Sequence, residues 1–254
     1  ACSAIGRSPA GPTDDGARAA LRAWLEQFPK AEQGETVALS GDPLPRLFPS
    51  RRFLAVRYRQ YPVAISLPEP LMPANLFAVD VRGRVERIPD RTGLEELFRM
   101  NVAPVRSERE ALDVLKAWLL LSPEFHQDGF FRFSIPADSL VVTEREKAMT
   151  ARGEATVEPN AGNTGKLIAT VTFDARGELQ SVIEDVRLFA GPRPVCQATK
   201  LLDPDPVIRA MAEQTLLVMG SAAKSYLDEQ RTSAGPDLER AIDRLWQRIL
   251  AEGR

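Results

Sequence analysis

Apolar residues recur along this chain with two periods, three-to-four and two, and each change of period marks an element. Over residues 17–28, Leu21, Trp24, Leu25 and Phe28 share one helical face, and Pro29 ends the run. Residues 30–50 are rich in glycine, proline and small polar residues, which predicts a loop or a short strand around 36–39. Strands are predicted at 53–59 and 63–67. Two more, at 76–80 and 84–88, flank Val81-Arg82-Gly83, a hairpin signal with glycine where positive φ is needed. A helix at about 93–100 precedes a stronger one capped by Ser107, with Ala111, Leu115, Trp118 and Leu119 facing a core up to Pro123. Period two then returns at 130–135, 140–143, 153–157, 166–173 and 179–188. The connections are too short for crossover helices, so antiparallel hairpins are expected.

The C-terminal part, 202–250, is helical throughout. Asp203-Pro204-Asp205-Pro206 opens a helix with Ile208, Met211, Ala212, Leu216 and Met219 on its apolar positions, and Gly220 stops it. A second helix is predicted near Ser221, using Ala223, Tyr226 and Leu227. A third, capped by Ser233 or Asp237, carries Leu238, Ala241, Ile242, Leu245, Trp246 and Ile249. The Asp-Pro-Asp-Pro-x-x-Arg start and the Met219-Gly220-Ser221-Ala222-Ala223 turn resemble HEAT-type helical repeats of bacteria, over roughly one fifth of the chain. The resemblance implies a helix-pair scaffold that contacts a partner protein, and it carries no catalytic residue across. A plain C-terminal helical hairpin is the other reading.

Two features recur at a spacing of 94 residues. Ala23-Trp24-Leu25 with Pro29 answers Ala117-Trp118-Leu119 with Pro123, and Asp80-Val81-Arg82-Gly83 answers Asp174-Ala175-Arg176-Gly177. Either the body is a duplicated unit, with Trp24 and Trp118 as equivalent core residues, or two inexpensive patterns recur by chance. Such helix-over-hairpin units resemble the cystatin-like and PepSY-like modules of bacterial envelope proteins at the level of fold alone. The expected class is α+β: helix-over-antiparallel-sheet units at 17–104 and 105–198, a tether at 1–16 and a HEAT-like helical module at 199–254.

Composition narrows the function classes. With 33 Lys and Arg against 35 Asp and Glu, the net charge is -2, giving no electrostatic case for nucleic acid as a partner. Arginines at 51, 52, 57 and 59 interleave with Tyr58 and Tyr61, but alternating arginines on a strand read as its solvated face. The first thirteen residues, with Cys2 followed by small, polar and proline-rich sequence, resemble a processed bacterial lipoprotein. That resemblance implies a lipid anchor at Cys2, export, and a place in the cell envelope or periplasm. Cys196 is expected as a buried free thiol, and two cysteines exclude a thiolate zinc site.

Chemistry-bearing side chains are few. The sole histidine, His126, stands near Glu124 and Asp128 at a helix exit, so a ligand site walled by Trp118 is the one candidate. Asp203 and Asp205 read as helix caps, not calcium ligands. Glu184 and Asp185, adjacent on a strand, point to opposite faces and cannot act as a carboxylate pair. No metal, cofactor or catalytic residue is assigned. The expectation is a non-enzymatic envelope protein offering a surface to another protein or to the cell wall. The alternative is a small-molecule binder or hydrolase using a helix/sheet cavity near His126.

Overall fold

The computed structural model describes residues 12–29, 31, 34–58, 67–127, 130–158, 163–191 and 198–253. Helix α1 (Asp14–Leu25) precedes strand β1 (Glu35–Leu39), helix α2 (Pro43–Leu47), strands β2 (Arg51–Arg57), β3 (Ala74–Asp80) and β4 (Val85–Ile88), and helix α3 (Arg91–Asn101). Helix α4 (Glu108–Leu121) then leads through a 3-10 turn (Ser122–His126) into β5 (Phe133–Ser134), β6 (Val141–Arg145), β7 (Ala148–Val157), β8 (Thr164–Phe173) and β9 (Leu179–Phe189). The chain ends in α5 (Pro206–Met219), α6 (Lys224–Thr232) and α7 (Pro236–Ala251). The architecture is α+β, with two antiparallel sheets and joined helices at the C-terminus. The first sheet runs β1-β2-β3-β4; the second runs β5-β7-β8-β9, with β6 also paired to β7.

The elements stack as helix, sheet, helix, sheet. In β2 and β3 both faces are apolar, so alternate residues enter different cores. Leu54, Val56, Phe77 and Val79 meet Ala17, Leu21 and Leu25 of α1. Phe53, Leu76 and Ala78 face α4 instead. Helix α4 is buried around its circumference, through Ala111, Val114, Leu115, Ala117, Trp118, Leu119 and Leu121. A helix apolar all round needs cover on every side. Here the second sheet supplies the rest with Met149, Ala151, Ala155, Leu167, Ala169, Val171 and Phe173, in the same cluster as Phe53 and Leu76. Val105 joins that cluster too, so one core runs across the expected boundary at residues 104 and 105.

The 94-residue spacing has structural counterparts. Thr13 and Ser107 cap α1 and α4, their hydroxyls accepting from the amides of Gly16 at 3.1 Å and Glu110 at 3.3 Å. Asp80 accepts from the amides of Arg82 and Arg84 at 2.8 and 2.9 Å, and Asp174 from those of Arg176 and Glu178 at the same two distances. Gly83 and Gly177 close these turns at φ of 75° and 82°. Val79 pairs with Val85 just as Phe173 pairs with Leu179. The two tryptophans differ in setting: Trp24 is half-buried with its ring 5.2 Å from that of Phe77, whereas Trp118, covered on both sides, is fully buried.

Several boundaries depart from expectation. Residues 30–50 hold both β1 and α2, whose Leu44 is buried in the core and whose Arg46 pairs with Asp113 at 3.0 Å. Strand β7 begins at Ala148, because Met149 and Ala151 are buried on the same side as Ala155. Strand β5 is only Phe133–Ser134. The third tail helix starts at Pro236 with Gly235 as its cap, so neither Ser233 nor Asp237 serves. The strand expected at 63–67 falls outside the described residues apart from Leu67.

Candidate functional site

His126 ends the 3-10 turn that prolongs α4, and its Nε2 lies 4.0 Å from Oε2 of Glu184 on β9. Glu184 stands opposite Ala169, on the face of the second sheet that packs under α4. There Trp118 Nε1 donates to Glu184 Oε1 at 2.6 Å. Burial would raise the Glu184 carboxyl. The Trp118 hydrogen bond and the nearness of His126 and Ser122 outweigh that and hold it below the ordinary glutamate value. One buried carboxylate thus joins two of the expected site residues, His126 and Trp118.

Glu124 does not join them. It turns toward β2, where Arg57 Nε donates to Glu124 Oε2 at 2.9 Å and Arg57 Nη2 donates to Oε1. Arg57 is therefore buried, not on a solvated face. The cause is parity: Arg57 alternates with Phe53 and Ala55 on the side of β2 that turns away from α1. Burial pulls its pKa down, but the fork to Glu124 and the charge of Glu35 leave it raised. Beside this pair, Gln127, Phe131, Arg132 and Glu158 line a cavity of about 210 Å³. Gln127 Nε2 donates to the Phe131 carbonyl at 3.2 Å. Asp128, Cys2 and Cys196 lie outside the described residues.

His126 and Glu184 form an acid-base couple in composition, yet they serve as a tie between the end of α4 and β9. Other cavities are lined by other side chains. One of them, about 640 Å³, lies between α2 and the start of α4, bordered by Arg46, Asn101, Ser107, Arg109, Glu110 and Asp113. Ser122 is fully buried, and its Oγ has no hydrogen-bond partner among the described residues. Among the described residues no group of three or more His, Cys, Asp or Glu could hold a metal ion. No helix among them is long and apolar enough to cross a membrane.

Glu184 and Arg57 are the two participants to which sequence reading gave no part in a site. Alternation marks their faces, since Glu184 shares one with Val182 and Arg57 with Phe53, but not the partners they meet. In the tail, Asp205 caps α5 by accepting from the Val207 amide at 2.8 Å, whereas Asp203, also expected as a cap, instead pairs with Lys200 at 2.9 Å. Helix α5 turns Ala212, Leu216 and Leu217 inward, toward Tyr226, Leu227, Ile242, Leu245 and Ile249. Its opposite side is wet: Val207 is 64% exposed, Met211 58% and Val218 69%. Ala210 and Gln214 complete that stripe, at spacings of three and four, and no charged residue lies on it. Comparison with protein-family models, curated proteins and solved structures gives no match for this chain.

Proposed function

We propose that the chain is a non-enzymatic binding protein, placed in the bacterial envelope as the Cys2 segment suggests, whose C-terminal helices form the docking element. The observation that carries this reading is the charge-free stripe of Val207, Ala210, Met211, Gln214 and Val218 on α5. In a chain with 27% charged residues, an uncharged exposed face three turns long is unusual, and it has the width of a helix-to-helix seam. The partner is an amphipathic helix of another protein, laid along α5 as a further helix would be in a HEAT-like stack. Three helices with a private core support that likeness. The paired caps and turns 94 residues apart likewise support reading the body as a duplicated helix-and-sheet unit, which acts as a rigid base.

A photo-crosslinking amino acid at Met211, in the full chain and its native cells, tests the docking face. The expected result is a discrete adduct whose peptide maps to an amphipathic helix, weakened by Val218→Lys and missing when the probe replaces Arg22 on α1. Equal adducts from Arg22, no adduct from Met211, or an adduct to a second copy of the chain would overturn the proposal.

A further inference from the structure

Strand β9 is the last strand of the second sheet, bonded to β8 along its length. On its other edge α3 covers the beginning, where Arg99 donates to the Gln180 carbonyl at 2.7 Å. From Ile183 to Phe189 no described strand pairs with that edge. Natural proteins protect such edges, because unpaired amides and carbonyls template another strand. This one instead displays two large apolar residues, Ile183 and Phe189, each 65% exposed, on the sheet face turned away from α4.

Between them on the same face stand Asp185 and Arg187, bonded to each other at 2.6 Å. The order Ile183, Asp185, Arg187, Phe189 is self-complementary when reversed. A two-fold axis at Val186 sets Ile183 opposite Phe189 and Asp185 opposite Arg187, twice each, and Val186, itself exposed, against its own copy. Cross-strand partners of opposite charge and matched apolar pairs are the unit of sheet stability. Among registers that keep α4 on the same side of both sheets, moving the axis to Asp185 opposes the two aspartates, and moving it to Arg187 opposes the two arginines. Charge therefore favours the register centred on Val186 over those centred one residue to either side. Glu184 is turned inward to Trp118 and takes no part.

We propose that two copies of this chain pair antiparallel through Ile183–Phe189 of β9, joining their second sheets into one continuous sheet with two-fold symmetry. The α5 stripe lies on the tail, outside this pairing, so a symmetric pair would present two docking faces.

Sedimentation equilibrium of the full chain reads the assembly directly. The expected mass is twice the 28.0 kDa of one chain. Asp185→Arg, which sets like charges opposite each other, should weaken the dimer by roughly tenfold or more, and the swap Asp185→Arg with Arg187→Asp should restore it. Both side chains are well exposed, at 48% and 65%, so each variant should keep the wild-type circular dichroism. A monomeric wild type would overturn the proposal. So would a dimer indifferent to Asp185→Arg, or one that the swap fails to restore.

Discussion

Arg57 and Glu124 show what a single buried pair demands of its surroundings. Both have left water, and the fork between them offsets a desolvation cost of several kcal/mol for each ion. Arg57→Met strands the Glu124 carboxylate in the core and should cost about 3–5 kcal/mol in urea unfolding. Arg57→Met with Glu124→Leu removes both charges and should recover most of that loss; a double variant as unstable as the single one would contradict this account. The pair was not legible in the sequence, since its members stand 67 residues apart and Arg57 looked like one more arginine of a wet strand. For His126 the neighbours in sequence tell only part of the story. Its nearest carboxylates in sequence are Glu124 and Asp128; Glu124 is held by Arg57, and among the described residues a carboxylate from β9 lies 4.0 Å away, which only strand pairing reveals. The single histidine and its tryptophan wall were visible from composition and spacing; the carboxylate joining them was not.

At the scale of elements, periodicity located the long helices and the β8 strand well, because each keeps a clear apolar face. It failed where the pattern is carried by small residues, as in β7, or where an element is too short to show a period, as in α2. The two Asp-x-x-Gly turns were placed by sequence and share one geometry, yet their surroundings make them unequal. A methyl group added at Gly83 would meet nothing closer than Ala20 Cβ at 3.7 Å. One added at Gly177 would stand 2.0 Å from the Val105 carbonyl oxygen, part of the linker that leads into α4. Gly83→Ala should therefore cost only the strain of its positive φ, about 1–2 kcal/mol. Gly177→Ala should cost clearly more, since backbone must move and the Val105 amide bond to the Gly177 carbonyl at 2.9 Å is put at risk. Thermal unfolding of the two variants side by side checks the order.

For the whole molecule, the division of the core decides which parts stand alone. The tail has a private apolar cluster, and its ties to the body include the Arg132 to Glu229 ion pair at 3.9 Å. A chain ending at residue 191 should keep cooperative unfolding close to that of the full chain by circular dichroism. A chain ending at residue 101 should not fold, because Phe53, Leu76, Ala78 and Ile88 then lose the helix that covers them. The expected split into two units was silent about the helix that both sheets pack against. Sequence periodicity reports which faces are apolar, not which neighbour will cover them.

The shared helix also sets a timetable. As the chain leaves the ribosome, its first sheet is complete at Ile88, with α1 already available for one side. The other side stays greasy and open until α4, ending at Leu121, has emerged, and α4 in turn waits for β7 and β8. Nascent chains stalled before Leu121 should thus be the form most prone to stick to one another and to occupy chaperones.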